Sequence, residues 1–263
     1  MELVQGKYTI IKLMDHIIWI YDGINDSIYV DEGEKEAFVI DTGMAEESLL
    51  SIIRKEVTDK PLKVVLTHGH LDHSMKVDEF DSFYMWEKDD HLIPEKAHVD
   101  LQKRIPLHPS DHVAISDMEL IAVDAHGHTP GSLAFINEKH KVVYTGDAFS
   151  SGANIWMQLP GCSSLAEYKQ VVENAIETFK AYGVDDTWTF LGGHYQQRWQ
   201  YRPVPMEENA PGMAMMEDIR TLLDKLLSGE IKGEPEKSPF SRGEQAYCAH
   251  YGKAEILYCL SQL

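Results

Sequence analysis

Four side chains able to hold a metal ion fall within six positions of the segment Thr67-His68-Gly69-His70-Leu71-Asp72-His73. An apolar run, Val64-Val65-Leu66, precedes them and reads as a buried strand that opens into a loop. In extended backbone, residues two apart point the same way, so His68 and His70 can grip one cation together. Asp72 and His73 lie just beyond and are free to face a second. Imidazole nitrogens with a carboxylate suit zinc best, and iron or manganese are also accommodated.

Further metal-competent residues repeat this strand-then-ligand phase. His128, Asp147 and His194 each come a few residues after an apolar run: Leu120-Ile121-Ala122-Val123, Val142-Val143-Tyr144 and Trp188-Thr189-Phe190-Leu191. Asp41 likewise ends Ala37-Phe38-Val39-Ile40. If these runs are strands of one core, their carboxyl ends gather at one edge, where loops can build a site.

Taken together, His68-x-His70-x-Asp72-His73, Gly127-His128-Thr129-Pro130-Gly131-Ser132, Thr145-Gly146-Asp147 and Gly192-Gly193-His194 resemble the metallo-β-lactamase superfamily, with a glyoxalase II-like hydrolase as the nearest type. The resemblance spans residues 41 to 194. It implies an α/β fold, a four-layer αββα sandwich, here with a small C-terminal helix-plus-hairpin extension. It implies that His68, His70 and His128 hold a first metal, that Asp72, His73 and His194 hold a second, and that Asp147 bridges them. The family pattern places the ligand directly before Thr-Pro-Gly, which selects His128 over His126. Asp41 resembles the family's supporting carboxylate, which orients a ligand without touching the metal; a turn-forming Asp is the alternative.

The activity implied is hydrolysis of an ester, thioester or lactone of a small metabolite. A hydroxide bridging two divalent ions would attack the carbonyl carbon, with Asp72 and Asp147 as the catalytic carboxylates. Two other classes use the same residues: a mononuclear iron oxygenase of the persulfide dioxygenase type, and a sensor in which the metals are structural. Candidate substrate contacts are Tyr195, whose phenol can donate to a developing oxyanion or simply pack, and Phe149, Trp156 and Met157. Those three sit on a glycine-punctuated stretch that is either pocket wall or packing.

The rest of the chain bounds these readings. A length of 263 residues fits one large domain with a modest extension; the expected division is a catalytic domain over 1–203 and an extension over 204–263 packing on it. The formal charge of −19 repels phosphate backbones. The cluster Gln196-Gln197-Arg198-Trp199-Gln200-Tyr201-Arg202 does not offset it, so a small-molecule substrate is expected and nucleic acid is not. Self-association is left open. Cys162, Cys248 and Cys259 have no metal spacing and read as reduced thiols. The stretch from Ile10 to Ile20 is broken by Lys12, Asp15 and His16 and is not a secretory core, and no run approaches the ~18 apolar residues that cross a bilayer. A cytoplasmic, membrane-free protein is expected, which argues against a secreted β-lactamase, as does Asp rather than a thiol at 147.

The pattern predicts strands over Tyr8–Leu13, His16–Tyr21, Ser27–Val30 and Ala37–Ile40, and helices over Glu46–Val57, Leu165–Tyr182 and Met215–Leu227. Ser164 and Glu167 form a capping box for the second helix. A hairpin is predicted over 246–260. The irregular stretch 75–118, with its scattered His91, His98, His108 and His112, is either pocket wall or a solvated insertion. Ser238-Pro239-Phe240-Ser241-Arg242 faintly resembles the carboxylate-clamping segment of glyoxalase II, while Arg242 in a structural salt bridge is the plainer reading.

Overall fold

A computed structural model describes residues 2–23, 26–93, 99–149, 154–194, 212–238 and 240–263. Eight strands form the first sheet in chain order: β1 (Glu2–Gln5), β2 (Tyr8–Lys12), β3 (Ile17–Tyr21), β4 (Ser27–Glu32), β5 (Ala37–Ile40), β6 (Leu62–Val65), β7 (Phe83–Met85) and β8 (Arg104–Pro106). The meander β1 to β5 is antiparallel and the pairs from β5 to β8 are parallel. The second sheet holds β9 (His112–Ala114), β10 (Glu119–Asp124), β11 (Leu133–Asn137), β12 (Val142–Gly146) and, parallel to β12, a strand at Thr189–Gly192.

Alternating burial turns these sheets into layers. Phe38, Ile40 and Val65 from the first sheet meet Leu120, Ala122, Phe135 and Tyr144 from the second in one core between them. The opposite face of the first sheet, with Val30, Val39 and Val64, packs on Leu49, Ile52 and Ile53 of helix α1 (Leu49–Glu56). The outer face of the second sheet, with Ile121, Val123, Ile136 and Val143, packs on Val172, Ile176 and Phe179 of a long helix at Leu165–Ala181. The order is therefore helix, sheet, sheet, helix.

α1 starts three residues later than the apolar pattern predicts, because Ser48 caps it through the Ser51 amide and the Glu79 carboxylate accepts from the Leu50 amide at 2.8 Å. The next helix, α2 (Leu71–Ser74), is a single turn directly after the His68-x-His70 segment. The long helix at 165–181, α3, is capped by Ser164 as expected. α4 (Met213–Leu227) lays Ile219, Leu222, Leu223 and Leu226 into the same core as α3. No helix among the described residues is long and apolar enough to cross a membrane.

The C-terminal hairpin belongs to a third sheet. It contains β13 (Ile155–Trp156), β15 (Glu234–Glu236), β16 (Ala246–Tyr251) and β17 (Ala254–Cys259), the strand at Thr189–Gly192 being β14. β13 pairs in parallel with β17, so a short stretch directly after the Asp147 loop is tied to the end of the chain. None of the described residues of 75–118 lines the cavity at the strand ends. The stretch supplies β7, β8 and β9, and two of its histidines make ion pairs: His108 with Glu87 and Asp111, His112 with Glu119.

Candidate active site

The carboxyl ends of β5, β6, β10, β12 and β14 deliver Asp41, His68, His128, Asp147 and His194 to one edge, and α2 adds Asp72 and His73. All seven side chains expected to hold metal come together there. One group is His68, His70 and His128, with His70 Nδ1 lying 3.2 Å from His68 Nε2 and 3.0 Å from His128 Nε2. The second is Asp72, His73 and His194, which Asp26 joins. Asp147 lies between: its Oδ2 is 3.0 Å from His194 Nε2 and 3.6 Å from His128 Nε2, and its Oδ1 is 3.6 Å from His73 Nε2.

The outward nitrogens of these rings fix which nitrogen faces inward. His128 Nδ1–H donates to Trp156 O at 2.8 Å. His73 Nδ1–H donates to Asp41 Oδ2 at 2.9 Å. The Thr67 hydroxyl donates to Asp41 Oδ2 at 2.7 Å, so it accepts from His68 Nδ1–H at 3.0 Å. Asp41 thus orients two imidazoles, one directly and one through Thr67, and it also accepts from the Thr67 amide at 2.7 Å. Its φ of +59° is a left-handed conformation uncommon outside glycine, held by those three donors. Among the described residues, the buried atoms His73 Nε2 and Asp147 Oδ1 have no hydrogen-bond partner. Lone pairs converging at about 3 Å with buried donor atoms left over repel one another unless positive charge lies between them. The donor set fits divalent metal.

Two residues of the site escaped sequence reasoning. Asp26, between the predicted strands His16–Tyr21 and Ser27–Val30, is buried and pairs with His194 Nδ1 at 3.2 Å. Asp89, inside the irregular stretch, is also buried, and its carboxylate accepts from the Gly69 amide at 2.9 Å, the Thr129 hydroxyl at 2.6 Å and the Gly131 amide at 2.6 Å. It staples the loop carrying His68 and His70 to the loop carrying His128. A Cβ on Gly69 would come within 2.7 Å of Asp89 Cβ, and one on Gly131 within 2.7 Å of Asp89 Cγ, so only glycine admits the staple from both sides. Neither aspartate stands in a spaced motif; only the paired glycines hint at a close approach.

Electrostatically the two groups differ. Burial, reinforced by neighbouring imidazoles, holds His68 well below the usual range and His70 down to about 3. His73 and His194 are equally buried, but Asp147 and other carboxylates outweigh burial and hold both well above it. Burial would raise Asp147 and Asp72, yet His73 and His194 hold both carboxyls below the ordinary range, Asp147 far below. Burial pushes Asp26 up to about 7 against the pull of His194.

The group floors a cavity of about 920 Å³. Trp156 lines it. Phe149 and Met157 do not: both are fully buried in the core that α3 and α4 share, Phe149 edge-on to Phe179 at 6.2 Å and Met157 directly after Trp156 of β13. Tyr195 lies outside the described residues. His126 pairs with Asp124 at 2.7 Å, apart from the donor group. Among the described residues Arg242 makes no salt bridge; its guanidinium donates to Leu159 O at 3.0 Å and to Cys162 O.

Comparison with known proteins agrees with this geometry. The family model described as the metallo-beta-lactamase superfamily matches residues 20–194. The chain is 30% identical over 189 residues to an uncharacterized protein of Aquifex aeolicus, covering 66% of this chain and 85% of that one. It is 35% identical over 146 residues to the hydroxyacylglutathione hydrolase GloC of Haemophilus influenzae, covering 49% and 68%. It is 24% identical over 210 residues to the acyl-coenzyme A thioesterase MBLAC2 of Homo sapiens, covering 63% and 74%. Among solved structures, a metallo-beta-lactamase from Erythrobacter litoralis superimposes with a TM-score of 0.62 at 15% identity, over 86% of this chain and all 100% of that one, a likeness of fold alone. With the strand-end donor clusters and the matched family model, the chain belongs to the metallo-β-lactamase superfamily.

Proposed function

We propose that this protein is a metal-dependent hydrolase acting on an ester, thioester or lactone of a small metabolite. The observation that carries the reading is the convergence of seven donor side chains, two buried donor atoms among them unpartnered, at the floor of a substrate-sized cavity. His68, His70 and His128 would hold one divalent cation and Asp72, His73 and His194 a second, with Asp147 shared; zinc suits these donors best, and iron or manganese also fit. When bound, such a pair supplies Lewis acidity and brings the pKa of a water toward neutrality. The names of two relatives, a hydroxyacylglutathione hydrolase and an acyl-coenzyme A thioesterase, support a hydrolase.

The chain's own residues prepare the reaction. Asp41, Asp26 and the Trp156 carbonyl keep three imidazoles turned inward. Asp72 lines the cavity with about a third of its side chain exposed, so its carboxylate accepts a hydrogen bond from the attacking water. The water oxygen bonds to the carbonyl carbon, and the bond to the leaving oxygen or sulfur breaks with its electron pair. The proton given up by the water passes by way of Asp72 to that leaving atom. The three cysteines are free thiols, in keeping with a cytoplasmic setting.

Metal analysis of freshly purified protein, with a panel of esters, thioesters and lactones, tests this. Two metal ions per chain and turnover that is lost on chelation and restored by zinc are expected. One iron per chain with oxygen consumption would replace the proposal with an iron oxygenase. A His68→Ala protein with undiminished metal and turnover would remove its basis.

A further inference from the structure

Above its donor floor, the cavity has an apolar wall. Trp156 and Phe240 lie with ring centroids 6.0 Å apart and planes inclined by 32°, and Leu159, Pro160, Met44 and Leu71 continue the lining. Phe240 is 54% exposed, a large aromatic held open to solvent beside the donor groups.

This shelf joins distant parts of the chain, and several ties hold it. β13, which carries Trp156, pairs with β17 at Leu257. Arg242, two residues beyond Phe240, is bound to the carbonyls of Leu159 and Cys162. Gln158 Nε2 donates to Ser238 Oγ at 3.1 Å, and buried Gln262 donates to Met157 O at 2.6 Å and Ser163 O at 2.9 Å. Every ionisable group lining the cavity among the described residues is an aspartate or a histidine. The guanidinium nearest to Phe240 in sequence is already engaged by carbonyls. Among the described residues a substrate carboxylate or phosphate would find no lysine or arginine on this wall, whereas an apolar group would shed water against two aromatic faces.

We propose that Trp156 and Phe240 form a selectivity shelf that takes an uncharged, apolar substituent of the acyl substrate and disfavours an anionic one. The assignment rests on the hydrolase reading of the same site. Phe240 carries the test: truncating its exposed ring removes little buried packing, whereas the Trp156 carbonyl also holds His128.

Metal-loaded protein would be assayed with N-acetylcysteamine thioesters from acetyl to octanoyl, with acetyl thioesters of alkanethiols of the same lengths, and with the hexanoyl and adipoyl pair, which differ by a terminal carboxylate. In at least one length series kcat/KM should rise about twofold to fourfold per methylene, the upper figure being the fold-change for about 0.8 kcal/mol per buried CH₂. Adipoyl should be at least tenfold poorer than hexanoyl. Phe240→Ala should flatten the length dependence and Phe240→Leu restore part of it. Calorimetric binding of the non-hydrolysable S-octyl-N-acetylcysteamine thioether should weaken about tenfold in Phe240→Ala. Flat length series, adipoyl equal to hexanoyl, or thioether binding indifferent to Phe240→Ala would overturn the shelf. Absence of turnover of any ester, thioester or lactone, with Phe240-dependent thioether binding intact, would instead sink the hydrolase reading and leave the shelf standing.

Discussion

Replacing Asp89 by Asn keeps the volume of the side chain and removes one acceptor oxygen. Three donors point at the carboxylate: the Gly69 amide and Thr129 hydroxyl at Oδ2, the Gly131 amide at Oδ1. In its better orientation an Asn oxygen serves the first two, and its NH₂ then faces the Gly131 N–H, donor against donor. The loss is one hydrogen bond to a charged group, about 1.5–3 kcal/mol, and a buried amide left unpaired, about 1–3 kcal/mol. Burial disfavours the Asp89 charge, raising its pKa, and relief of that cost offsets part of the loss. A net destabilisation of about 2–4 kcal/mol is expected, roughly 5–15 °C in melting temperature for a chain of this size. The staple also sets the distance between the His68/His70 loop and the His128 loop, so zinc affinity of the first triad should fall about 10- to 100-fold. Thermal melts of metal-free protein and zinc titration against a competing chelator measure both effects. A variant that melts within about 2 °C of the parent and binds zinc equally well would refute the staple.

Gly193→Ala would set a methyl against Asp147 Oδ1 and 2.8 Å from His73 Cε1, so metal content by mass spectrometry should drop from two ions per chain toward one. Asp26→Asn takes the charged acceptor from His194 Nδ1, and zinc affinity at the second triad should weaken about 10- to 100-fold by chelator competition. For metal-free protein the pH dependence follows from the raised His73 and His194 and the depressed Asp147. The histidine contribution is complete below their unfolded pKa of about 6.5 and is lost as pH rises through the raised folded values; the Asp147 contribution is present above about 3.9 and is lost as pH falls through the depressed one. Between about pH 4 and 6.5 the depressed His68 and His70 add stability as pH rises while the raised Asp26 removes it, so the reading is tested above that window. The melting temperature of metal-free protein should decline from about pH 6.5 toward alkaline pH, while stabilisation by added zinc grows with pH; a metal-free melting temperature that climbs from about pH 6.5 to 9 contradicts this.

The parts of the site that were legible in the sequence share one property: their chemistry and their spacing are local. His68-x-His70-x-Asp72-His73 occupies one strand end and one helical turn, and each later donor follows its own apolar run, so residue type and period suffice to place it. Asp26 and Asp89 were illegible because their partners lie far along the chain; Asp89 serves Gly69 and Gly131, twenty and forty-two positions away. The stretch 75–118 looked irregular because β7, β8 and β9 are three residues each, too short to show alternation, and owe their conformation to pairing with neighbours. Phe149, Trp156 and Met157 could not be told apart by composition. Trp156 reaches the cavity from β13, which pairs with β17, a strand a hundred residues away.

The distribution of carboxylates ties folding to the cation. Asp22, Asp26, Asp41, Asp89 and Asp147 are all buried around the site, with Asp72 at its mouth. Asp22 itself accepts from the Asp26 amide at 3.1 Å and the Met44 amide at 3.1 Å. Backbone amides and hydroxyls satisfy the outer members of this set, but no lysine or arginine among the described residues lines the cavity to balance the inner ones. A buried carboxylate needs a compensating charge or must take up a proton. Among the described residues of the metal-free chain that charge comes from protonated His73 and His194, whose Nε2 atoms face Asp147. A divalent ion would replace those protons with a stronger positive charge held at the same atoms, so its binding free energy enters the stability of the fold itself. The chain's excess of acid is then, in part, an internal debt to the metal as well as a property of its surface.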